Sequence, residues 1–247
     1  MFARYKVTPG EFAVLKVRFN LEEIPLFKPR YNITPIQRAP VIANVDGANR
    51  VELFQWGLVP FWAKDISIGN RMINARAETI AEKPSFRTAF RHHRCLIPAD
   101  GFYEWKVTAG GKQPVHVGRK DGAPFGFAGL FERWLAADGA VLDTCTILTT
   151  TANDLLRPIH QRMPVIVGPE NYARWLDAAN LDVADLFAPF PSSALAWHPV
   201  STRVNAVRND DAALIAPVAP AVAGNAVTDA DAFAEMAPKK PVQASLL

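Results

Sequence analysis

The chain has 247 residues, of which 49% are hydrophobic, and it carries a formal net charge of only +3. A chain of this length can bury a large core, and no apolar run approaches the roughly 18 residues that span a bilayer. Cys95 and Cys145 lie in apolar stretches without metal-ligand spacing, which excludes a disulfide scaffold and predicts two buried thiols. We therefore expect a soluble, cytoplasmic protein that needs no metal or other cofactor.

The chain opens with MFARYKVT, which lacks the long apolar core and the cleavage site of a secretory signal. Residues 2–7 alternate with a period of two, so Phe2, Arg4 and Lys6 fall on one face. The pattern predicts a strand that starts almost at the N-terminus, with Arg4 followed directly by the aromatic Tyr5.

Further along the chain, short apolar or alternating runs bounded by Gly, Pro, Asp or Asn predict a series of strands. We expect these strands at 40–43, 51–59, 94–97, 102–107, 114–118, 125–131, 144–151 and 163–167. Helical patterns are fewer, and we expect helices at 10–18, 83–91, 153–157 and 169–178. The fold class is therefore α+β and rich in β-structure.

The composition changes near the C-terminus. From about residue 209 the chain becomes rich in Ala, Pro and Val, and it shows no regular apolar period. Such a segment is typical of an extended tail outside the functional unit. We therefore predict one domain over residues 1–217 and a C-terminal tail over residues 218–247.

The positive charge is concentrated in the middle of the chain. Residues 71–120 hold ten Lys and Arg residues against four acids, a local charge of +6. A basic stripe in a nearly neutral protein fits a groove for a polyanion, although a solvated helix face has the same composition.

The segment MINARAETI combines three kinds of polar side chain. If it is extended, Asn74, Arg76 and Glu78 share one face, which places an amide, a guanidinium and a carboxylate side by side. A surface strand with small residues packed beneath it has the same pattern, so spacing alone leaves both interpretations open.

The segment PADGFYEWK places Glu104 between Tyr103 and Trp105, just after a turn. Aromatic neighbours remove water from a carboxylate, so we expect a raised pKa that suits acid or base catalysis. An exposed glutamate on a half-buried strand fits the sequence equally well.

The segment LRPIHQRMPVIV places His160 two residues before Arg162, between Pro158 and Pro164, which restrict the backbone on both sides. A rigidly held histidine beside an arginine suits proton transfer next to an anion-binding group. A structural histidine with its ring nitrogens satisfied is the alternative.

Two further segments, PRYNITPIQ and WGLVPFWAKD, are dense in aromatic residues. Tyr31, Trp56 and Trp62 are by default core residues. Beside a basic groove they also fit as platforms on which unstacked bases lie.

Seven segments, taken in order, resemble the SRAP family, the SOS response-associated peptidases or abasic-site processing proteins. They are PRYNITP, WGLVPFWAKD, INARAETIAEKPSFRTAFRHHRCLIPADGFYEWK, FAGLFERW, CTILTTTAN, PIHQRMPVI and VSTRVNAVRND. The resemblance covers residues 1–217. It implies a single β-rich domain of curved antiparallel sheets with a few peripheral helices. It also implies a monomer with a channel for single-stranded DNA that leads to a pocket for an abasic site, acting near the nucleoid in a bacterium.

The resemblance also implies roles for individual residues. The catalytic pocket matches Asn74, Glu104 and His160, and this pocket is credited in the family with removing the protein's own first residue. Contacts to single-stranded DNA are implied for Arg4, Arg76, Arg162 and Trp62.

The family's nucleophile is missing from this chain. SRAP proteins begin with Met-Cys-Gly-Arg-Phe, and the cysteine exposed by removal of Met closes a stable thiazolidine on the sugar aldehyde of the abasic site. Here Phe2 stands at that position, and Phe cannot form such a ring. A bulky second residue disfavours removal of Met1, so the candidate amine is that of Met1, or that of Phe2 where Met1 is removed. The sequence leaves two functions open: weakened Schiff-base or lyase chemistry, or noncovalent binding of single-stranded DNA.

Overall fold

A computed structural model describes residues 2–8, 12–23 and 27–219 of the chain. Met1 and nearly all of the predicted tail at 218–247 lie outside the described residues. The strands are β1 Tyr5–Val7, β2 Arg30–Ile33, β3 Arg38–Val45, β4 Ala48–Trp56, β5 Asn74–Arg76, β6 Arg94–Ala99, β7 Gly101–Thr108, β8 Gly111–Arg119, β9 Phe125–Leu135, β10 Val141–Thr151, β11 Arg162–Pro164, β12 Ile166–Val167 and β13 Leu195–Pro199. The α-helices are α1 Phe12–Phe19, α2 Arg87–His92 and α3 Tyr172–Leu176.

Short 3-10 helices connect many of these elements. They are Ile66–Arg71, Ala77–Thr79, Pro169–Asn171, Ala184–Phe187, Ser192–Ala194, Thr202–Asn205 and Ala212–Ile215. Within the described ranges, no helix is long and apolar enough to cross a membrane. The predicted β-rich α+β fold is confirmed.

Most of the predicted strands are confirmed, and the differences have local causes. The strand predicted at 51–59 ends at Trp56, because the next residue, Gly57, has a φ of +141° and turns the chain. A Cβ at Gly57 would also lie 2.8 Å from the backbone oxygen of Gly69, so only glycine fits there. The strands β2, β5 and β13 have three to five residues, too few to show a clear period in the sequence.

The predicted helix at 153–157 is wrong, because the chain forms successive turns there. The Asn153 side chain accepts a hydrogen bond of 3.0 Å from the Leu156 amide, and Pro158 then prevents these turns from continuing as a helix. The helix predicted at 83–91 starts later, at Arg87, because residues 83–86 form a preceding turn.

One sheet has five strands in the order β13-β8-β7-β1-β2, and every pair in it is antiparallel. Successive residues of a strand point to opposite faces. The face that carries Phe102 and Val117 packs into the main core, and we call it the inner face. The outer face carries Tyr103 and His116, which pair across β7 and β8.

The second sheet closes on itself. Its strands follow the order β11-β10-β4-β3-β6-β9-β12, and β10 also pairs with β9, so β10, β4, β3, β6 and β9 form a ring. The β10–β4 pairing is parallel and short, whereas the β3–β4 and β9–β10 hairpins are long. β5 pairs in parallel with β10 just past the end of the β4 pairing and brings residues 74–76 to the ring.

Aromatic side chains join the two sheets. The ring of Phe2 lies 5.7 Å from that of Trp56, 5.6 Å from Phe102 and 5.3 Å from Phe127, measured between centroids. Tyr5 packs on the same Trp56 and Phe127 rings. The first residues of the chain are therefore part of the core.

The predicted buried thiols are confirmed. Cys95 lies on β6 and Cys145 on β10, and both side chains are free and buried. Burial raises the pKa of each thiol well above its ordinary value. Neither thiol has the exposed, electropositive setting of a reactive cysteine.

The outer face of the five-stranded sheet holds a buried histidine that makes stability depend on pH. Burial, with a smaller contribution from the positive charge of Lys6 and from His198, lowers the pKa of His116 to about 3. Lys6 itself is paired with Asp100 at 2.9 Å, and the phenol ring of Tyr103 lies 5.5 Å from the His116 ring. His116 is therefore neutral in the folded protein and gains a proton on unfolding below about pH 6.5.

We expect the free energy of unfolding to fall by up to about 1.4 kcal/mol for each pH unit below 6.5 from this one group. Replacing His116 with Gln removes this contribution. The unfolding free energy of the wild type minus that of His116→Gln should therefore be about 2–3 kcal/mol larger at pH 7.5 than at pH 4.5. Urea unfolding of both proteins at the two pH values measures this difference. An unchanged difference would show that His116 is solvated.

Candidate functional site at the N-terminus

Asn74 lies at the start of β5, which pairs in parallel with β10. Its Nδ2 donates a hydrogen bond of 2.5 Å to the backbone carbonyl of Phe2. The other amide atom, Oδ1, is buried and has no hydrogen-bond partner within the described part of the chain. A buried acceptor left unpaired costs about 1–3 kcal/mol, so Asn74 presents an acceptor that suits a bound donor.

Glu104 lies on the inner face of β7, two residues after Phe102. The residue is 4% exposed, and its Oε1 has no hydrogen-bond partner among the residues that the structure covers. Burial raises the pKa of Glu104 to about 7, against smaller lowering effects of the N-terminal positive charge and of the Trp105 backbone N–H. This pKa lies near neutral pH, in the range that suits an acid–base catalyst.

The expected pKa rise has a different cause from the one predicted. Tyr103 and Trp105 point to the outer face, where they belong to a second, smaller apolar cluster with Val200 and Val204. Strand alternation separates them from the Glu104 carboxyl. Glu104 is instead on the side of the sheet that packs into the main core.

His160 and Arg162 lie at the start of β11. The Nδ1 atom of His160 is 3.0 Å from both the N–H and the carbonyl oxygen of Arg162. The Arg162 guanidinium forms a bidentate ion pair with Glu78, at 2.7 and 2.9 Å, and also donates to the Thr149 carbonyl. The hydrogen bonds from Arg162 lower the pKa of Glu78. The predicted His160–Arg162 pair is thus held by neighbouring strands.

Arg76 ends β5 and its side chain is exposed. In the parallel pairing it lies opposite Thr149, whose carbonyl binds Arg162 on the other side of β10. The extended interpretation of this segment holds for Asn74 and Arg76 but not for Glu78, because the chain turns into a 3-10 helix at Ala77. The turn carries the Glu78 carboxylate to Arg162.

The remaining predicted DNA contacts lie in two other places. Trp62 is 49% exposed in the loop after β4, beside Phe61, which is 57% exposed. Arg4 is half-buried on the outer face of the five-stranded sheet, where it shares no hydrogen-bond partner with Arg76 or Arg162 among the described residues. Arg76 and Arg162 therefore lie at the same residue of β10, Thr149, whereas the grouping of Arg4 with them stays a prediction.

The N-terminal segment contacts Asn74 and the strand that carries Glu104. Asn74 binds the Phe2 carbonyl, and the amide of Tyr103, next to Glu104, donates 3.0 Å to the carbonyl of Arg4. The segment thus runs between the strand of Asn74 and the strand of Glu104. The convergence of Asn74, Glu104 and His160 on one point stays a prediction.

A depression of about 390 Å³ lies elsewhere, between the β3–β4 and β9–β10 hairpins. Its floor is apolar, and charged side chains surround it: Arg50, Glu52, Arg133 and Asp143. None of the predicted site residues lines it. Over the described ranges, no group of three or more His, Cys, Asp or Glu side chains is arranged to hold a metal ion.

The family model of the SOS response associated peptidases (SRAP) matches residues 1–207. The chain belongs to the SRAP family. The abasic site processing protein YoqW of Bacillus subtilis (strain 168) is 43% identical over 213 residues, covering 83% of this chain and 95% of YoqW. The abasic site processing protein HMCES of Gallus gallus is 33% identical over 225 residues, covering 78% of this chain and 67% of HMCES.

Solved structures agree with this membership. A crystal structure of a protein from Bacteroides thetaiotaomicron superposes with a TM-score of 0.76 at 27% identity, covering 87% of this chain and 100% of the other. The SRAP match ends at residue 207, so the predicted domain boundary at 217 stays a prediction.

Two features of this SRAP chain were missed in the sequence. Thr149 binds Arg162 between β5 and β11, and the run of threonines in CTILTTTAN was the available signal. The other is the burial of the Phe2 side chain, which is 1% exposed. Nothing in the sequence pattern distinguishes a core aromatic residue from an exposed one this close to a chain end.

Proposed function

We propose that this protein binds single-stranded DNA at abasic sites and forms a reversible Schiff base with the sugar aldehyde through its N-terminal amine. The proposal rests mainly on the position of the first residues. They lie between Asn74, whose side chain binds the Phe2 carbonyl, and the strand of Glu104, whose pKa is raised to about 7. The names of the relatives, which are abasic site processing proteins, support the choice of substrate.

The chemistry needs an unprotonated amine and a nearby acid. An α-amino group has a pKa near about 8, so a useful fraction of it is neutral at pH 7. It adds to the ring-opened aldehyde, and the resulting carbinolamine loses water to give an imine. The protonated Glu104 carboxyl donates the proton that the departing hydroxyl needs, and the carboxylate then accepts a proton for β-elimination of the 3′ phosphate.

Phe2 prevents the imine from closing into a stable ring. In the family the thiol at this position adds to the imine carbon and closes a ring. A phenyl group has no such nucleophile, and the Phe2 ring is packed against Trp56, Phe102 and Phe127. The imine therefore remains open to hydrolysis or elimination.

Binding of the DNA strand rests on charge and stacking. Arg76 presents an exposed guanidinium next to the Arg162–Glu78 pair, and phosphates of a single strand bind such groups. The exposed rings of Phe61 and Trp62 offer flat apolar surfaces for unstacked bases. We expect affinity to favour single strands and to fall steeply with salt.

A second function is noncovalent binding of single-stranded DNA without any chemistry. The burial of the residue at the family's nucleophile position favours it, because the Phe2 side chain adds nothing reactive to the pocket. The two functions share the DNA-binding residues and differ only in whether an amine reaches the aldehyde.

Trapping with borohydride separates the two functions. We expect the protein to form a covalent adduct with an abasic single-stranded oligonucleotide only when borohydride is present, detected as an intact-mass increase. The matched control is the same oligonucleotide with an intact base. If the abasic oligonucleotide binds but gives no adduct with or without borohydride, the noncovalent function is established. If it does not bind at low salt, both proposed functions are wrong.

A further inference from the structure

The guanidinium of Arg4 binds backbone carbonyls far away in the sequence. Its Nη1 donates to the carbonyl of Val204, at 2.5 Å, and to Asn32 Oδ1, at 3.2 Å. Its Nη2 donates to the carbonyl of Asn205 at 2.8 Å. The group also lies 5.8 Å from the centroid of the Trp105 ring. Burial lowers the pKa of Arg4, although an arginine remains charged at any ordinary pH.

The carbonyls that Arg4 binds belong to residues 202–211, which we call the C-terminal loop. Asn32 fixes this loop from the neighbouring strand β2. Its amide nitrogen lies within hydrogen-bond distance of three loop carbonyls, at 3.2, 3.3 and 2.8 Å, those of Val204, Ala206 and Asn209.

Two more contacts hold the C-terminal loop to the sheet. The Asp210 carboxylate accepts hydrogen bonds from the backbone amides of Tyr31 and Asn32, at 2.5 and 3.0 Å. The indole N–H of Trp105 donates to Asn205 Oδ1 at 2.9 Å. The loop is therefore a fixed part of the fold, and Arg4 is attached to a rigid anchor.

This attachment sets where the first residues lie. β1 has only three residues and starts at Tyr5, so Phe2 lies outside its regular pairing. Phe2 comes two residues before Arg4 and packs into the main core, whereas the Arg4 guanidinium reaches the C-terminal loop. The planar guanidinium, with its two donor groups on adjacent carbonyls, fixes the strand along its axis, as a lysine cannot.

We propose that Arg4 is a positioning residue, which places the N-terminal segment between Asn74 and Glu104 by binding the C-terminal loop, and that it does not hold a DNA phosphate. The inference rests on the proposed function for its chemical consequence. The placement itself is a property of the free protein. In this proposal, the family segment VSTRVNAVRND binds the Arg4 guanidinium.

Salt dependence of DNA binding distinguishes the two roles of Arg4. Loss of one phosphate contact to a single strand lowers the slope of log K against log salt by about 0.7. We expect Arg76→Gln to show that loss, and Arg4→Gln to keep the wild-type slope. A reduced slope in Arg4→Gln equal to that in Arg76→Gln would overturn the proposal.

The chemical readout uses Arg4→Lys and Asn32→Ala. Because a displacement on the order of 1 Å can cost about a hundredfold in rate, we expect each variant to lower the rate of borohydride trapping by about tenfold to a hundredfold. Arg4→Lys keeps the positive charge, and Asn32→Ala removes no charge at all. Wild-type trapping rates in both variants would contradict a positioning role.

Hydrogen exchange of the free protein tests the placement even if the proposed function fails. The Tyr103 amide, which donates to the Arg4 carbonyl, should exchange at least tenfold faster in Arg4→Lys. The Phe131 amide, bonded to His93 on the other sheet, should exchange at the wild-type rate and so report an intact fold. Equal protection of the Tyr103 amide in both proteins would overturn the placement. Arg4→Lys decides the question if Arg4→Gln does not fold.

Discussion

Replacing Phe2 with Cys should convert a reductant-dependent adduct into one that survives heating without reductant. The ring of Phe2 packs 5.6 Å from Phe102, and Phe102 and Glu104 lie on the same face of β7. A side chain at position 2 is therefore on the same side of the sheet as the Glu104 carboxyl. A small second residue also allows Met1 to be removed, which exposes the cysteine amine. The thiol then adds to the imine carbon, its proton passes to the nitrogen, and a thiazolidine closes.

Phe2→Ser is the matched control for this experiment. Serine is equally small, so it allows the same removal of Met1 and leaves the same space in the core, but it lacks the thiol. We expect Phe2→Ser to trap with borohydride and to give no heat-stable adduct. Intact mass spectrometry reads the N-terminus and the adduct in one measurement. A heat-stable adduct in the wild type would contradict the proposal, because it requires a closing nucleophile other than residue 2.

Both substitutions should also destabilise the protein. Phe2 is 1% exposed among three aromatic rings, and removing a buried ring costs roughly 3 kcal/mol. The experiment is therefore best done well below the unfolding temperature of the variants. The Phe2 ring packs in the core and stabilises the N-terminal segment, whereas a cysteine there would supply a nucleophile.

The sequence predicted the long strands best because continuous apolar runs mark them. β9 and β10 have eleven residues each, and their buried runs coincide with the strands predicted at 125–131 and 144–151. β5 has three residues and forms because β10 continues past the end of β4, a cause that no local pattern shows. The Asn153 turns resemble a helix start in sequence, and Pro158 decides against the helix.

The site was predicted in part, and the missing part is tertiary. Family motifs pointed to Asn74, Glu104 and Arg162, but the Arg162–Glu78 ion pair depends on the turn at Ala77, which the sequence did not reveal. The pKa rise at Glu104 was expected for the wrong reason. Side chains adjacent in sequence lie on opposite faces of a strand, so the desolvation comes from the core rather than from Tyr103 and Trp105.

Replacing Glu104 with Gln should lower the rate of borohydride trapping by about a hundredfold or more, which is the usual size of a general acid–base contribution. Glutamine keeps the shape of the side chain and cannot transfer a proton. In the wild type the rate should depend on pH with an inflection near 7, where Glu104 titrates, and this inflection should be absent in Glu104→Gln. Retention of the inflection would assign it to another group.

The same substitution should affect stability in the opposite direction. The folded pKa of about 7 lies above the ordinary value of 4.5, so the stability that the neutral carboxyl contributes is present below pH 4.5 and is lost as the pH rises to 7. Because the group is 4% exposed, this loss amounts to about 3 kcal/mol. Glu104→Gln avoids it, so the unfolding free energy of the variant, relative to wild type, should be about 3 kcal/mol higher at pH 8 than at pH 4. Urea unfolding at both pH values measures this difference. We therefore expect Glu104→Gln to react more slowly than the wild type and to gain stability relative to it at pH 8. This combination is expected when a buried carboxyl serves the reaction at the expense of stability.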